Sequence, residues 1–321
     1  MDLIEKAAAK MKKKGSGSLV ERAAEKMSGP GTSEATGASK EESKAAPVTP
    51  SVPVSPTSSA DVNAPQASEP VVSGTRSRRR VEIDLDRLKA LNYLTPDSEP
   101  TTTAEEFRIV KRSLLLNAFA KGEAAIRNGN LILVSSTQPG EGKTFCSINL
   151  AMSIASERDV TVLLVDADTA KPDVLPSLGV EGSYKGLVDL AANEDLDMSE
   201  CLLRTNIDNL VILPAGRQHN QTTELLASEH AEMLIEEIAK RYPDRIVIFD
   251  SPPALASSVA SVLALHVGQV MFVVEAERTR EPQLKEALSL VSSCEHINLL
   301  LNKSRFSAGE KKFGTYYGYG A

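Results

Sequence analysis

A glycine-rich run at 135–144, Ser-Ser-Thr-Gln-Pro-Gly-Glu-Gly-Lys-Thr, has the residue types and spacing of a loop that grips phosphate groups. Gly140 and Gly142 allow backbone N–H groups to curl around an anion, and Lys143 can reach the outer phosphates of a nucleotide. Thr144 supplies a hydroxyl oxygen of the kind that Mg²⁺ accepts. The run therefore predicts a site for a nucleoside triphosphate.

The residues on either side of this loop predict the elements that hold it. Apolar residues at 131–134 are typical of a buried strand, and the pattern at 145–155 favours a helix, so the glycines lie where a strand turns into a helix. The N-terminus of that helix adds its partial positive charge to the phosphate site. One position departs from the usual pattern, because Thr137 stands where such loops carry glycine.

Two further apolar runs end in carboxylates. The run at 161–165 leads into Asp166 and Asp168, and the run at 245–249 leads into Asp250. Near-continuous apolar runs suit parallel strands that are covered on both faces, and ligands of such sheets bind at the carboxyl ends of the strands. We therefore expect Asp166 and Asp250 near the metal, whereas Asp168 either joins them or caps the next segment.

These elements predict an α/β fold, a doubly wound and mostly parallel sheet of the P-loop NTPase type. The stretch before it, rich in Ser, Thr, Pro, Ala, Gly and Glu, cannot bury enough apolar surface to fold and is expected to be a disordered linker.

Four spaced features resemble one family. They are the loop at 139–144, the Val-Asp-Ala-Asp at 165–168 with Pro172 beyond it, the Phe-Asp-Ser-Pro-Pro at 249–253, and the tyrosine-rich end at 316–321. Over about residues 100–321 the chain resembles the bacterial tyrosine kinases, P-loop autokinases of exopolysaccharide and capsule systems. The second motif differs from that of many family members, Asp-x-Asp-x-Arg-x-Pro, because Ala170 occupies the place of the arginine and Lys171 follows it.

The resemblance implies ATP and Mg²⁺ as cofactors and a set of site residues. The assigned nucleotide contacts are Gly140, Glu141, Gly142, Lys143, Thr144, Phe145 and, beside the adenine base, Asn302; the metal ligands are Thr144, Asp166 and Asp250; the catalytic residues are Lys143, Asp166, Asp168 and Asp250. A tyrosine acceptor with an ordinary pKa of about 10 benefits from a base, for which Asp166 is the first candidate and Asp168 the second. A cap of a helix or turn is an equal alternative for Asn302.

The last residues offer phenols for phosphorylation. Tyr316, Tyr317 and Tyr319 lie among glycines after a polar stretch at 307–312, so the segment could swing into the site of a neighbouring subunit. The resemblance assigns them as autophosphorylation sites; from composition alone they could also dock on the core or on a partner.

A helix at the start of the domain has a possible role in assembly. The residues Glu105, Arg108 and Lys111 are similar to the Glu-x-x-Arg-x-x-Arg stretch through which the family oligomerises, with lysine in place of the last arginine. Charged residues at this spacing also form ordinary pairs on a helix surface.

The predicted organisation has five parts. They are two short amphipathic helices within 1–27, which would dock on a partner or a membrane, the linker at 28–80, a helical lead-in at 81–100, the kinase domain at 101–305 and the tyrosine tail at 306–321.

The net charge of the sequence, −7, argues against a nucleic-acid partner.

The hydropathy of the sequence limits where in the cell the protein can lie. The sequence has no apolar run of about 18 residues, and acids stand where a signal peptide needs bases. We expect a cytoplasmic protein that reaches the inner membrane through a partner.

The resemblance also implies partners. They are a ring-like homo-oligomer, an inner-membrane chain-length determinant (polysaccharide co-polymerase) that activates the kinase, and a tyrosine phosphatase. Two alternatives remain, a MinD- or ParA-like ATPase switch and an ATP-binding assembly scaffold. Gln138 stands where such switches usually carry a lysine, which favours the kinase.

Overall fold

A computed structural model describes residues 79–97, 101–242 and 244–304. Within these residues one sheet has seven strands, β1 to β7 in chain order, with the order β3-β4-β2-β5-β1-β6-β7. The strands are β1 Leu131–Ser136, β2 Thr161–Asp166, β3 Leu203–Arg204, β4 Leu210–Leu213, β5 Arg245–Asp250, β6 Gln269–Glu275 and β7 Ile297–Asn302. All neighbours are parallel except β3, which runs antiparallel to β4.

Helices cover both faces of the sheet. They are α1 Leu85–Ala90, α2 Thr102–Ala118, α3 Lys143–Ala155, α4 Val174–Ser177, α5 Leu187–Ala192, α6 Thr222–Leu226, α7 Glu229–Lys240, α8 Val259–Ala264 and α9 Glu281–Leu290. Short 3₁₀ turns occur at Gly122–Ala124 and Met198–Glu200. Among the described residues, no helix has both the length and the apolar character needed to cross a membrane.

The central strands are apolar on both sides because each side packs against a separate core. In β1, Ile132 and Val134 belong to the core beneath α1 to α3, whereas Leu131 and Leu133 belong to the core beneath α5 to α9. Successive side chains of a strand point to opposite faces, so a strand that is covered twice reads as a continuous apolar run. The predicted doubly wound, mostly parallel α/β fold is confirmed.

The lead-in segment is attached to the same core. Asp84 caps α1 by accepting a hydrogen bond from the N–H of Arg87, and Leu88 is fully buried. The side chain of Asn206 bonds both the N–H and the C=O of Ile83. Of the predicted helical stretch 81–100, only Leu85–Ala90 is helical among the described residues.

Candidate functional site

The glycine-rich loop connects β1 to α3 at the carboxyl edge of the sheet. Gly140 and Gly142 have φ of 85° and 98°, a left-handed backbone that residues with a Cβ rarely adopt. Gly142 is the N-cap of α3, so the N–H groups of the first helical turn have no partner within the helix. This turn begins with Lys143, whose side chain is buried. The loop therefore presents backbone donors and one cation, the arrangement that binds phosphate.

Gly142 also lies against β7. A Cβ added there would stand 2.2 Å from Nδ2 of Asn302, whereas one added at Gly122, which also has positive φ, would meet nothing within 4 Å. Glycine is thus required at position 142 for two reasons. The first, the freedom of its backbone, is evident from the sequence, and the second, the close approach of Asn302, is seen only in the structure.

We expect Gly142→Ala to lower the affinity for Mg-ATP by about 10-fold or more, because left-handed strain of about 1–2 kcal/mol is added to a clash with Asn302. Titration with a fluorescent ATP analogue measures the effect. The matched control is Gly140→Ala, which has similar strain in the same loop but nothing within 4 Å of the added Cβ. Equal affinities for the two variants would show that the contact with Asn302 does not matter.

Asp250 accepts hydrogen bonds from two hydroxyl groups at the start of α3. Oγ1 of Thr144 donates to Oδ2 of Asp250 at 2.7 Å, and Oγ of Ser147 donates to Oδ1 at 2.9 Å. Burial raises the pKa of Asp250 to about 6, although the two hydroxyl groups and the positive charge of Lys143 favour the ionised form. The carboxylate is thus fixed in orientation but poorly compensated in charge.

Asp166 is the neighbour of Asp250 on the adjacent strand, in register with it across β2 and β5. Its carboxylate accepts the N–H of Asp168 at 3.2 Å and that of Val174 at 3.1 Å. Burial, followed by the charge of Asp250, raises the pKa of Asp166 to about 8. Two buried carboxyl groups side by side favour a proton or a cation between them.

Asp168 lies past the end of β2 and is half-buried. Its Oδ1 accepts the N–H of Lys171 at 3.2 Å, so the carboxylate does cap the following turn. Burial raises the pKa of Asp168, whereas the charges of Lys143 and Lys171 lower it. Asp168 therefore combines a capping contact with a position in the electrostatic field of Lys143.

This donor set fits Mg²⁺. The ion prefers oxygen ligands, and protein sites usually give it one or two carboxylates beside substrate phosphates and water. Thr144, Asp166 and Asp250 supply such oxygens at one edge, and the raised pKa values of both carboxyl groups mean that a cation would relieve their repulsion.

One residue of the loop and three residues after β6 and at the end of β7 form what we call the loop clamp: Glu141, Thr279, Asn302 and Lys303. Nδ2 of Asn302 donates to the C=O of Glu141 at 2.9 Å, and Nζ of Lys303 donates to the C=O of Gly140 at 2.6 Å. The buried carboxylate of Glu141 accepts the N–H of Gln138 at 2.9 Å and the hydroxyl of Thr279 at 2.5 Å. These contacts hold the loop against the end of β7 and the segment after β6.

Sequence reasoning missed most of this clamp and also Ser147. It predicted Glu141 as a nucleotide contact, but its side chain is used inside the protein. Ser147 could have been predicted from the sequence, since it follows Thr144 by three residues and so lies on the same face of α3. Thr279 and Lys303 had no local signal.

Phe145, also predicted as a nucleotide contact, directs its ring toward Tyr93, with centroids 4.9 Å apart. Only its backbone N–H is available for phosphate binding, because it lies in the first turn of α3 like the N–H groups of Lys143 and Thr144.

The three residues assigned to assembly lie on α2. Arg108 is exposed and forms an ion pair with Glu105, which is partly exposed. Lys111 is turned inward: its Nζ donates to the C=O of Ser153 at 2.8 Å and pairs with Glu157 at 2.6 Å. Lys111 is thus occupied at the C-terminal end of α3, and of the three residues only Arg108 is exposed.

Tyr316, Tyr317 and Tyr319 lie outside the described residues, as do the predicted helices within 1–27 and nearly all of the linker.

The fold and the site together define a P-loop α/β protein, in which a glycine-rich loop and two strand-end carboxylates meet at one edge of a doubly wound sheet. A family model described as an AAA domain matches residues 129–298, more than half of the chain. The chain belongs to this AAA domain family.

Individual relatives are bacterial tyrosine-protein kinases. The chain is 27% identical over 247 residues to tyrosine-protein kinase YwqD of Bacillus subtilis (strain 168), covering 76% of this chain and 94% of YwqD. It is 29% identical over 197 residues to tyrosine-protein kinase CpsD of Streptococcus agalactiae, covering 60% of this chain and 83% of CpsD. The crystal structure of the VpsO kinase domain matches with a TM-score of 0.51 and 28% identity, covering 64% of this chain and 100% of that domain. The predicted resemblance to bacterial tyrosine kinases is confirmed.

Proposed function

We propose that this protein is an ATP-dependent protein-tyrosine autokinase. It phosphorylates Tyr316, Tyr317 and Tyr319 of its own chain or of another copy of that chain. One observation carries the proposal: Asp250 binds the hydroxyl of Thr144 at 2.7 Å and stands in register with a second buried carboxyl group, Asp166, beside the phosphate-binding loop. This geometry supports phosphoryl transfer from a Mg-nucleotide. The names of the relatives YwqD and CpsD support tyrosine as the acceptor.

The chain's own residues position the triphosphate and offset its charge. The N–H groups at the start of α3 bind the phosphates, Lys143 neutralises the γ-phosphoryl group, and Asn302 lies at the loop on the side proposed for the adenine base. Mg²⁺, held by Thr144, Asp250 and Asp166, supplies further charge neutralisation when it is bound.

In the transfer step the phenol oxygen of a tail tyrosine forms a bond to the γ-phosphorus, and the bond between that phosphorus and the β–γ bridging oxygen breaks, so that ADP leaves. The phenol proton passes to a carboxylate. Asp166 is the first candidate for this role, because it is buried beside Asp250 at the edge of the sheet where the loop lies. Asp168, half-buried and close to Lys143, is the second candidate.

Regulation follows from the same modification. Each phosphate adds roughly −1.5 to −2 charges, so several on one tail would repel an acidic neighbour and open a ring-like homo-oligomer. Assembly through Glu105 and Arg108 fits this scheme, whereas Lys111 would first have to leave Glu157.

We further propose a cytoplasmic location and an inner-membrane polysaccharide co-polymerase as the activator of the kinase. A tyrosine phosphatase would remove the phosphates. The outcome would be control of exopolysaccharide chain length or export.

The test is phosphorylation of the full-length protein with Mg-ATP, mapped by mass spectrometry. We expect phosphate on Tyr316, Tyr317 or Tyr319, and at least a 100-fold lower rate for Lys143→Met, because the charge that offsets the γ-phosphoryl group is lost. The control is Lys285→Met, which removes an exposed lysine on α9. ATP hydrolysis with unmodified tyrosines would instead indicate an ATPase switch, and binding without turnover a scaffold.

A further inference from the structure

The tip of the phosphate-binding loop, residues 138–141, is contacted from one edge of the sheet. Gln138 and Gly140 are exposed, whereas β1, which leads into the loop, is buried. Two contacts to the main chain of the tip come from Asn302 and Lys303, at the end of β7. The shape of the tip therefore depends on residues that lie far away in the chain.

The turn after β6, residues 275–279, approaches the same tip, and we call it the β6 turn. Oγ1 of Thr279 accepts the N–H of Glu275 at 3.0 Å, and the N–H of Thr279 donates to the C=O of Glu275 at 3.1 Å. Between them Glu277 has a φ of 63°, which is uncommon for a residue with a side chain. The two hydrogen bonds close the turn and fix the position of Thr279.

Thr279 connects the β6 turn to the loop through Glu141. The Thr279 hydroxyl donates to Oε1 of Glu141 at 2.5 Å, and Oε2 of Glu141 accepts the N–H of Gln138 at 2.9 Å. Glu141 is only 3% exposed, so water cannot readily replace a lost donor. Without the Thr279 hydroxyl the carboxylate would gain by turning toward water. The tip would move with it, because Glu141 lies between Gly140 and Gly142.

Lys303 is the second connection between the β6 turn and the loop. Its Nζ donates to the C=O of Gly140 at 2.6 Å and pairs with Oε2 of Glu275 at 3.3 Å. A Cβ added at Gly142 would lie 4.0 Å from Cε of Lys303, so this side chain lies along the loop. Glu275, whose side chain is 12% exposed, offsets the charge of Lys303 and keeps the ammonium group beside the loop. The β6 turn thus reaches the tip by two routes.

The carboxylates proposed for metal binding and transfer lie on the other side of the loop. Asp166 and Asp250 end β2 and β5, and the sheet order places β1 between these strands and the pair β6 and β7. The β6 turn and the carboxylates therefore act on the loop from opposite sides.

We propose that Thr279 and Lys303 are positioning residues of the nucleotide site. They hold the tip of the loop in the shape that binds phosphate, and they set the affinity for Mg-ATP without a part in phosphoryl transfer. This inference rests on nucleotide binding by the loop, as in the proposed function, but it does not depend on which group accepts the phosphate.

The test uses Thr279→Val in the full-length protein, which keeps the shape of the side chain and removes its hydroxyl group. Titration with a fluorescent ATP analogue in the presence of Mg²⁺ measures Kd, and the phosphorylation assay measures KM and kcat. We expect Kd and KM for ATP to rise by about 10-fold, the loss expected for a hydrogen bond to a charged group. The kcat should change little, because the contact is present equally before and during transfer. Thr279→Ser, which keeps the hydroxyl group, should retain wild-type affinity.

Thr205→Val is the matched control. Thr205 is buried, and its Oγ1 donates to the C=O groups of Ile207 and Leu210 at 3.0 Å, beside β3 at the opposite edge of the sheet. This variant should lower the thermal unfolding midpoint and leave the affinity for ATP at the wild-type value. An equal loss of ATP affinity in Thr205→Val and Thr279→Val would show a general loss of stability and would overturn the inference.

A double variant shows whether the two residues act through one loop. Lys303→Met should also raise the Kd for ATP. A tip released by one change has less to lose from the other, so the double variant Thr279→Val with Lys303→Met should lose less than the product of the two single effects. The inference is wrong if the two losses multiply, if Thr279→Val binds ATP as the wild type does, or if kcat falls at unchanged KM. A wild-type protein that does not bind the ATP analogue would instead overturn the proposed function.

Discussion

Asp166→Asn is expected to give a protein that is more stable than wild type at pH 8 without metal, yet nearly inactive as a kinase. Burial and the charge of Asp250 raise the pKa of Asp166 to about 8 from an ordinary value of 3.8. The folded protein therefore binds this proton more tightly than the unfolded chain does. Stability gained in this way is complete below about pH 4 and is lost as the pH rises through about 8.

The substitution removes the titrating group while keeping its shape. Without metal, the free energy of unfolding of the wild-type protein should fall between about pH 4 and 8, and that of Asp166→Asn should change less. The difference at pH 8 should be on the order of a few kcal/mol at most, reduced by whatever Asn loses in hydrogen bonds to the N–H groups of Asp168 and Val174.

The measurement is urea unfolding at pH 5, 6, 7 and 8 in a metal-chelating buffer. Asp208→Asn is the control, because Asp208 is exposed and precedes β4, at the amino edge of the sheet. If the free energy of unfolding depends on pH in the same way in Asp166→Asn and wild type, burial does not raise the pKa of Asp166. In kinase assays the same variant should lose about 10²–10⁴-fold in rate, the usual contribution of a general base.

Asp250→Asn should lower the rate of tyrosine phosphorylation by about 10²–10³-fold and remove most of the effect of Mg²⁺ on ATP affinity. The native carboxylate accepts from both Thr144 and Ser147. An asparagine has one oxygen and an NH₂ group, so one of the two hydroxyl groups loses its acceptor and the Thr144 oxygen is no longer oriented for a cation. The negative charge opposite Asp166 disappears as well.

Nucleotide titrations with and without Mg²⁺ separate these effects from misfolding. In the wild-type protein Mg²⁺ should tighten ATP binding, whereas in Asp250→Asn the two affinities should be nearly equal. Ser147→Ala is the companion variant, since it removes one donor to Asp250 but leaves the charge, and we expect less than about a 10-fold loss of rate. If Mg²⁺ tightens ATP binding equally in Asp250→Asn, Asp250 is not a ligand of the metal.

Much of this site could be predicted from the sequence because its chemistry is local. The glycines, Lys143 and Thr144 lie within 140–144, and Asp166 and Asp250 each end an apolar run, so strand-to-helix and strand-to-loop junctions identified them. Only the topology was needed to bring them to one edge. The sheet order then placed Asp166 and Asp250 in register.

The rest depends on contacts between residues far apart in the chain. Glu141 meets Thr279, and Lys303 meets Gly140, only because β6 and β7 pair beside β1. The inward turn of Lys111 toward Glu157 likewise needs the packing of α2 on α3. The antiparallel β3 has only two residues and leaves too little pattern to predict.

The loop clamp has a consequence for the timing of turnover. Asn302 and Lys303 hold the main chain of the phosphate-binding loop, and the chain continues from them directly toward the tyrosine tail. A protein bound where β7 ends would therefore act on the backbone of the loop through these two hydrogen bonds. If the loop binds a nucleotide as proposed, the rate of nucleotide release should respond to such binding.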